Sequence, residues 1–193
     1  QANVALPGGC AIGSRPVNLH IDAMRAFGAD ITLEDGYIKA KSKGRLKGAE
    51  ISFDIISVTA TENALMAAVL AKGSSIIRHA AKEPEVIDLA NCLVSMGAII
   101  EGIGTDVLKI EGVKDLKGTS FSVMPDRVET ATYLTAAAMT GGDILIKDTV
   151  PQFVESVILK LKESGAKIEK GEDWISLKML ERPKAVSLST GPY

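Results

Sequence analysis

Apolar residues recur along the chain at two spacings, and the alternation between those spacings predicts a repeated unit. Val154, Val157, Ile158 and Leu161 follow the i, i+3, i+4, i+7 spacing of an amphipathic helix. Val86, Leu89, Ala90 and Leu93 form a second helical pattern, and Leu19, Met24 and Phe27 mark a third. Each pattern runs into Gly-Ala, at Gly28-Ala29, Gly97-Ala98 and Gly165-Ala166, so the copies recur at intervals of about 69 residues. Glycine at a helix end supplies the left-handed residue without a Cβ penalty.

After each glycine the chain predicts a hairpin: 31–33 with 37–40, 99–101 with 107–110, and 167–169 with 174–177. Turn residues separate each pair, among them Asp35-Gly36. A further strand is expected after each Leu-Lys-Gly, over 49–54 and 119–123. Ala- and Met-rich helices are expected over 61–71 and 129–139, each running into a short β-branched strand, 75–77 or 144–146. The unit therefore reads β-α-β-α-β-β and the fold class α/β. The Ala-rich helices carry few charges, so they are expected to be more buried than helices over 86–96 and 153–164, where Lys160, Lys162 and Glu163 mark a solvated side. Such a unit cannot cover its own sheet, so several must pack together.

Composition narrows the class. The 193 residues are 46% hydrophobic and 24% charged, which describes a globular chain. With 22 basic and 24 acidic residues, the net charge of -2 gives no reason to expect nucleic acid or an anionic membrane as partner. The longest apolar run, Leu65 to Ala71, is far short of the roughly 20 residues that cross a bilayer. Two cysteines make no disulfide framework and point to a reducing cytoplasm. Gln1 is neither an initiator Met nor the start of a signal peptide, so the chain is expected to begin inside a longer protein.

Candidate chemistry concentrates in Leu6-Pro7-Gly8-Gly9-Cys10-Ala11-Ile12-Gly13-Ser14-Arg15-Pro16. This is either a surface loop with an incidental thiol or a lid whose Cys10 acts as acid or nucleophile under the influence of Arg15. The lid reading expects the loop to be mobile and Cys10 partly exposed. Arg15 and the helix start that follows suit a phosphate. Cys92 sits among Leu89, Leu93 and Met96 and reads as a buried structural thiol. His20 and His79 lack metal-ligand spacing, so no metal is expected. No Walker loop or dinucleotide fingerprint is present, so no cofactor is expected either.

Residues 6–20 resemble the catalytic-loop segment of the UDP-N-acetylglucosamine enolpyruvyl transferases. The resemblance extends to Gly44-Arg45-Leu46-Lys47-Gly48, Thr61-Glu62-Asn63, Ala81-Lys82-Glu83-Pro84-Glu85, Pro125-Asp126-Arg127-Val128-Glu129-Thr130 and Gly171-Glu172-Asp173-Trp174-Ile175. It implies transfer of enolpyruvyl from phosphoenolpyruvate to the 3′-hydroxyl of UDP-N-acetylglucosamine, with release of phosphate, in cytoplasmic peptidoglycan synthesis. It also implies two inside-out α/β barrels of three β-α-β-α-β-β units each. The chain would be an internal fragment of about half, with residues 1–124 finishing the cysteine-bearing domain and 125–193 opening the other.

By the same resemblance Cys10 protonates the phosphoenolpyruvate methylene and is the fosfomycin target. Arg15, Pro16, Val17, Asn18 and Leu19 hold the sugar nucleotide, and Ile55, Ile56, Ser57 and Val58 form a second contact region; some relatives carry Lys where Ile55 stands. A Lys-Asn pair, the aspartate base and further arginines of the family would lie outside residues 1–193. The fragment is therefore expected to be inactive and to self-associate through uncovered helices. The competing readings are transfer to shikimate 3-phosphate and a non-catalytic sugar-nucleotide-binding repeat module.

Overall fold

The computed structural model describes residues 1–6 and 17–191. The chain divides into one unit over residues 1–122 and a second from residue 123 onward, each with its own core. The first contains β1 (Ala2–Ala5), α1 (Asn18–Ala26), β2 (Asp30–Glu34), β3 (Tyr37–Lys41), β4 (Glu50–Ser52), α2 (Val58–Ala68), β5 (Ser74–Arg78), α3 (Pro84–Ser95), β6 (Ile99–Glu101) and β7 (Val107–Glu111). The second contains α4 (Arg127–Thr140), β8 (Asp143–Lys147), a 3-10 turn at Pro151–Val154, α5 (Glu155–Glu163), β9 (Lys167–Lys170) and β10 (Trp174–Lys178).

One strand order occurs three times. The sheets β1-β3-β2 and β8-β10-β9 are antiparallel throughout, and β5-β7-β6 repeats the same order. β4 extends this last group by pairing parallel to β5, with α2 as the crossover that a parallel pair requires. The stretch from β4 to β7 is thus one complete β-α-β-α-β-β unit. β2 and β3 are joined by Asp35-Gly36, both at positive φ, the two-residue turn whose twist matches a hairpin.

The helix ends repeat as faithfully. Gly28, Gly97 and Gly165, all at positive φ, donate to the carbonyls of Arg25, Val94 and Lys162. The next residues, Ala29, Ala98 and Ala166, donate to Met24, Leu93 and Leu161, which completes the doubly bonded glycine cap. Further along, the backbone N–H groups of Lys47, Lys117 and Lys184 reach back to the carbonyls of Phe27, Met96 and Ser164, at 2.9, 2.8 and 2.8 Å. The first core centres on Phe27, Leu65, Ile77, Leu108 and Ile110, the second on Leu134, Ile158, Ile175 and Leu177.

Four expectations need correction. α2 runs over Val58–Ala68, starting three residues early because Ser57 caps it. It buries a larger share of its residues than α3, as expected, but α4 does not. Only Thr130, Leu134 and Ala138 of α4 are buried, one stripe against its own sheet, while Val128, Tyr133 and Met139 stay exposed. Residues 119–123 form no strand, because they have no ladder partner among the described residues; Val123 is 81% exposed. Cys92 is half-buried rather than fully enclosed. No helix among the described residues is long and apolar enough to cross a membrane.

Candidate functional site

Two helix starts in the first unit come together. α1 begins at Val17 without a side-chain cap, so the first-turn N–H groups have no partner within the helix. Leu19 packs against the core, while Asn18 stays exposed. α2 begins at Ser57, whose Oγ accepts from the Ala60 N–H at 3.3 Å. The Ser57 carbonyl accepts from the Thr61 N–H at 3.0 Å and from Thr61 Oγ1 at 2.8 Å.

His20 joins the two. Its Nδ1 lies 3.1 Å from Asn63 Nδ2 and its Nε2 lies 3.4 Å from Thr59 Oγ1. An amide nitrogen only donates, so Nδ1 accepts and the imidazole proton sits on Nε2, facing the hydroxyl. The expected contact residues Val17, Asn18 and Leu19 therefore stand beside Ser57 and Val58, on adjacent helix starts. Two positive helix ends side by side favour an anion. Ile55 and Ile56, 71% and 43% exposed, precede Ser57 and offer uncharged surface plus backbone. Cys10, Arg15 and Pro16, with the expectation of a mobile loop, lie outside the described residues.

The frame around that loop is defined. At the end of β1 the Leu6 N–H donates to Gly36 O at 2.8 Å. The matching points after β5 and β8 insert one left-handed residue, His79 or Asp148, before the next N–H resumes the ladder. Ala80 donates to Asp106 O at 3.0 Å and Thr149 to Asp173 O at 3.1 Å. His and Asp are among the side chains that tolerate positive φ. His79 Nδ1 also meets Phe53 O at 2.9 Å. A buried threonine ties each of these turns to a neighbouring helix: Thr61 Oγ1 of α2 accepts from the Ala81 N–H at 3.0 Å, and Thr130 Oγ1 of α4 lies 2.8 Å from Thr149 Oγ1.

Beside the site, burial and then the neighbouring Glu85 hold the Glu62 carboxyl above the ordinary glutamate range. Glu83 Oε2 is buried with no hydrogen-bond partner among the described residues. No group of His, Cys, Asp and Glu among the described residues is arranged to hold a metal. Sequence reasoning missed the role of His20, because no spacing rule connects positions 20 and 63. It also missed the third lysine cap: Arg182-Pro183-Lys184 stands where the other copies have Arg45-Leu46-Lys47 and Asp115-Leu116-Lys117.

Residues 1–193 match the sequence profile of the family described as EPSP synthase (3-phosphoshikimate 1-carboxyvinyltransferase). The chain belongs to the EPSP synthase family. It is 56% identical over all 193 residues to a UDP-N-acetylglucosamine 1-carboxyvinyltransferase of Halorhodospira halophila (strain DSM 244 / SL1), of which it covers 46%. Among solved structures, the enolpyruvyl transferase NikO from Streptomyces tendae resembles it with a TM-score of 0.69 at 20% identity, over 92% of this chain and 43% of that one. The EPSP synthase from Acinetobacter baumannii gives 0.63 at 22% identity, over 94% and 43%. These two likenesses establish the enolpyruvyl transferase fold, although the described residues close no barrel. The chain spans about half the length of the relatives it matches.

Proposed function

We propose that this chain is about half of an enzyme that transfers enolpyruvyl from phosphoenolpyruvate to the 3′-hydroxyl of UDP-N-acetylglucosamine in cytoplasmic peptidoglycan synthesis. The observation that carries this reading is the 56% identity, over the whole chain, to a protein bearing that activity in its name. In the reaction the sugar oxygen bonds to C2 of phosphoenolpyruvate while C3 gains a proton. Elimination then breaks the bond from C2 to the phosphate oxygen and returns the C3 proton. Cys10 supplies the proton, a role open to a thiol that is protonated at neutral pH.

Arg15 through Leu19 hold the nucleotide diphosphate at the start of α1, supported by first-turn N–H groups that have no partner within the helix. Ile55 to Val58 make the second contact. With Ile at position 55, the affinity there comes from backbone and apolar surface rather than a cation. In this reading residues 1–124 complete the cysteine-bearing domain and 125–193 begin the other. The isolated chain lacks the general base and several cations, so it binds weakly, turns over negligibly and self-associates through α4.

The family description favours one second reading, transfer to shikimate 3-phosphate. Calorimetric titration of the longer protein with each acceptor, in the presence of phosphoenolpyruvate, separates the two. Binding and phosphate release with UDP-N-acetylglucosamine are expected, and response to shikimate 3-phosphate alone would overturn the reading. Cys10→Ser in that protein should lose about 100-fold or more in turnover while sugar-nucleotide affinity changes little.

A further inference from the structure

The end of β3 and the segment after it carry Lys41, Lys43, Arg45 and Lys47 within seven residues, in a chain whose net charge is -2. With the C-terminal end of α1 they line a cleft of about 620 Å³, floored by Phe27 and Gly28. That volume lies within the ordinary range for small-molecule sites. Arg45 is immobilised: Nε donates to Leu70 O at 3.1 Å, and one terminal nitrogen donates to Ala71 O at 3.0 Å and Val113 O at 2.6 Å. Its charge meets carbonyls and, among the described residues, no carboxylate.

The three lysines are exposed, and none makes an ion pair among the described residues; Lys41 adds only a weak field at Glu34. Asp30, cross-strand from Lys41, is the one carboxylate lining the cleft among the described residues. The cleft therefore holds a surplus of three positive charges.

The repeat supplies an internal control. Aligning the lysine caps, Lys47 with Lys117, places Glu111, Val113 and Asp115 where the first copy has Lys41, Lys43 and Arg45. The second copy builds the same hairpin, glycine cap and backbone bond with a segment in which Glu111 and Asp115 offset Lys114 and Lys117, whereas the third keeps Lys178, Arg182 and Lys184. The fold does not require these cations, nor does the negative end of α1, since α3 ends without a basic residue in its last turn. The cleft is also separate from the helix starts described above, because it lies at the opposite end of α1, about 13 Å along a nine-residue helix.

We propose that this cleft is a binding site for an anion with two or more phosphoryl groups, held by Lys41, Lys43 and Lys47 against the fixed Arg45. Ammonium groups on flexible stems act as point charges that suit a phosphoryl oxygen of any orientation. A surplus of three charges is matched by a diphosphate better than by a monoanion.

The test is calorimetric titration of the 193-residue chain with pyrophosphate, ADP and citrate at low ionic strength. Saturable binding of one pyrophosphate per chain is expected, falling at least tenfold in Lys41→Glu/Lys43→Val, which installs the residues of the second copy. A milder Lys41→Gln/Lys43→Gln variant, checked for unchanged thermal unfolding, should also weaken binding. Lys160→Glu/Lys162→Val on α5 makes the same charge change elsewhere and should leave binding intact. ADP bound as tightly as pyrophosphate would assign recognition to free phosphates, and ADP bound more tightly would assign a nucleotide; both support the site. Unchanged affinity in the β3–β4 variants, equal weakening in the α5 variant, or citrate bound as tightly as pyrophosphate would overturn it.

Discussion

His20 of α1 accepts a hydrogen bond from Asn63 of α2 at 3.1 Å, across 43 positions of sequence. This contact aligns the starts of the two helices that carry the expected nucleotide contacts. His20→Ala should cost about 0.5–1.5 kcal/mol of stability from the lost hydrogen bond. In the longer protein it should weaken sugar-nucleotide binding more than turnover at saturation. Thermal unfolding and a KM-against-kcat comparison check both halves, and Asn63→Ala should reproduce the effect with little added loss in the double variant.

The two buried threonines differ in what their removal leaves behind. Thr61→Val strands the Ala81 N–H, a backbone donor with no substitute, and should cost about 1–3 kcal/mol. Thr130→Val strands the Thr149 hydroxyl instead, so Thr130→Val/Thr149→Val should recover most of the single-variant loss. Denaturant midpoints of the three variants settle the comparison.

Gly112 has no room for a side chain, since a Cβ there would run into the Ala71 carbonyl. Gly48 meets the Ser74 carbonyl in the same way. Either residue changed to Ala should force a backbone shift that destabilises the first unit by about 1–3 kcal/mol. Hydrogen exchange should show the loss in β5 and β7 and leave β8 to β10 unchanged.

The raised Glu62 carboxyl makes stability pH-dependent in a definite direction. Its folded pKa lies above its unfolded one, so in the window between them the folded state binds the extra proton and stability falls as pH rises. Above that window the ionised group carries its full cost. Glu62→Gln should therefore raise the melting temperature slightly at neutral pH and make no difference in acid, where wild-type Glu62 is already protonated. A variant less stable than wild type at neutral pH would contradict this.

Sequence pattern carried the periodic parts of this fold well, because each copy encodes its helix end and hairpin locally. Gly28, Gly97 and Gly165 all cap helices as their position implied. Pattern failed where the outcome depends on a neighbour. Residues 119–123 alternate like a strand yet have no ladder partner among the described residues, and the Ala-rich face of α4 implies burial although the described residues of its unit supply one sheet to cover it. Ala2–Ala5 pairs with β3 in a register no local signal announced. At the site, the Val17–Leu19 segment was legible as a helix start, but the start at Ser57 was not, nor was their juxtaposition through His20, which only the packing of α1 on α2 creates.

The bulge after β5 and β8 has a consequence for how such chains diversify. In those copies the route from strand to helix is short, residues 79–83 after β5 and 148–150 before the 3-10 turn after β8, each with one left-handed residue and a tie to a threonine. In the first copy the same route spans twelve residues, 6–17, between the end of β1 and the start of α1. Lengthening a connection costs little, about 0.6 kcal/mol per doubling. The junction therefore works as a cassette slot: its contents can be exchanged without repacking the core. A duplicated scaffold keeps three such slots, and reactivity can be written into one while the other two remain plain tethers.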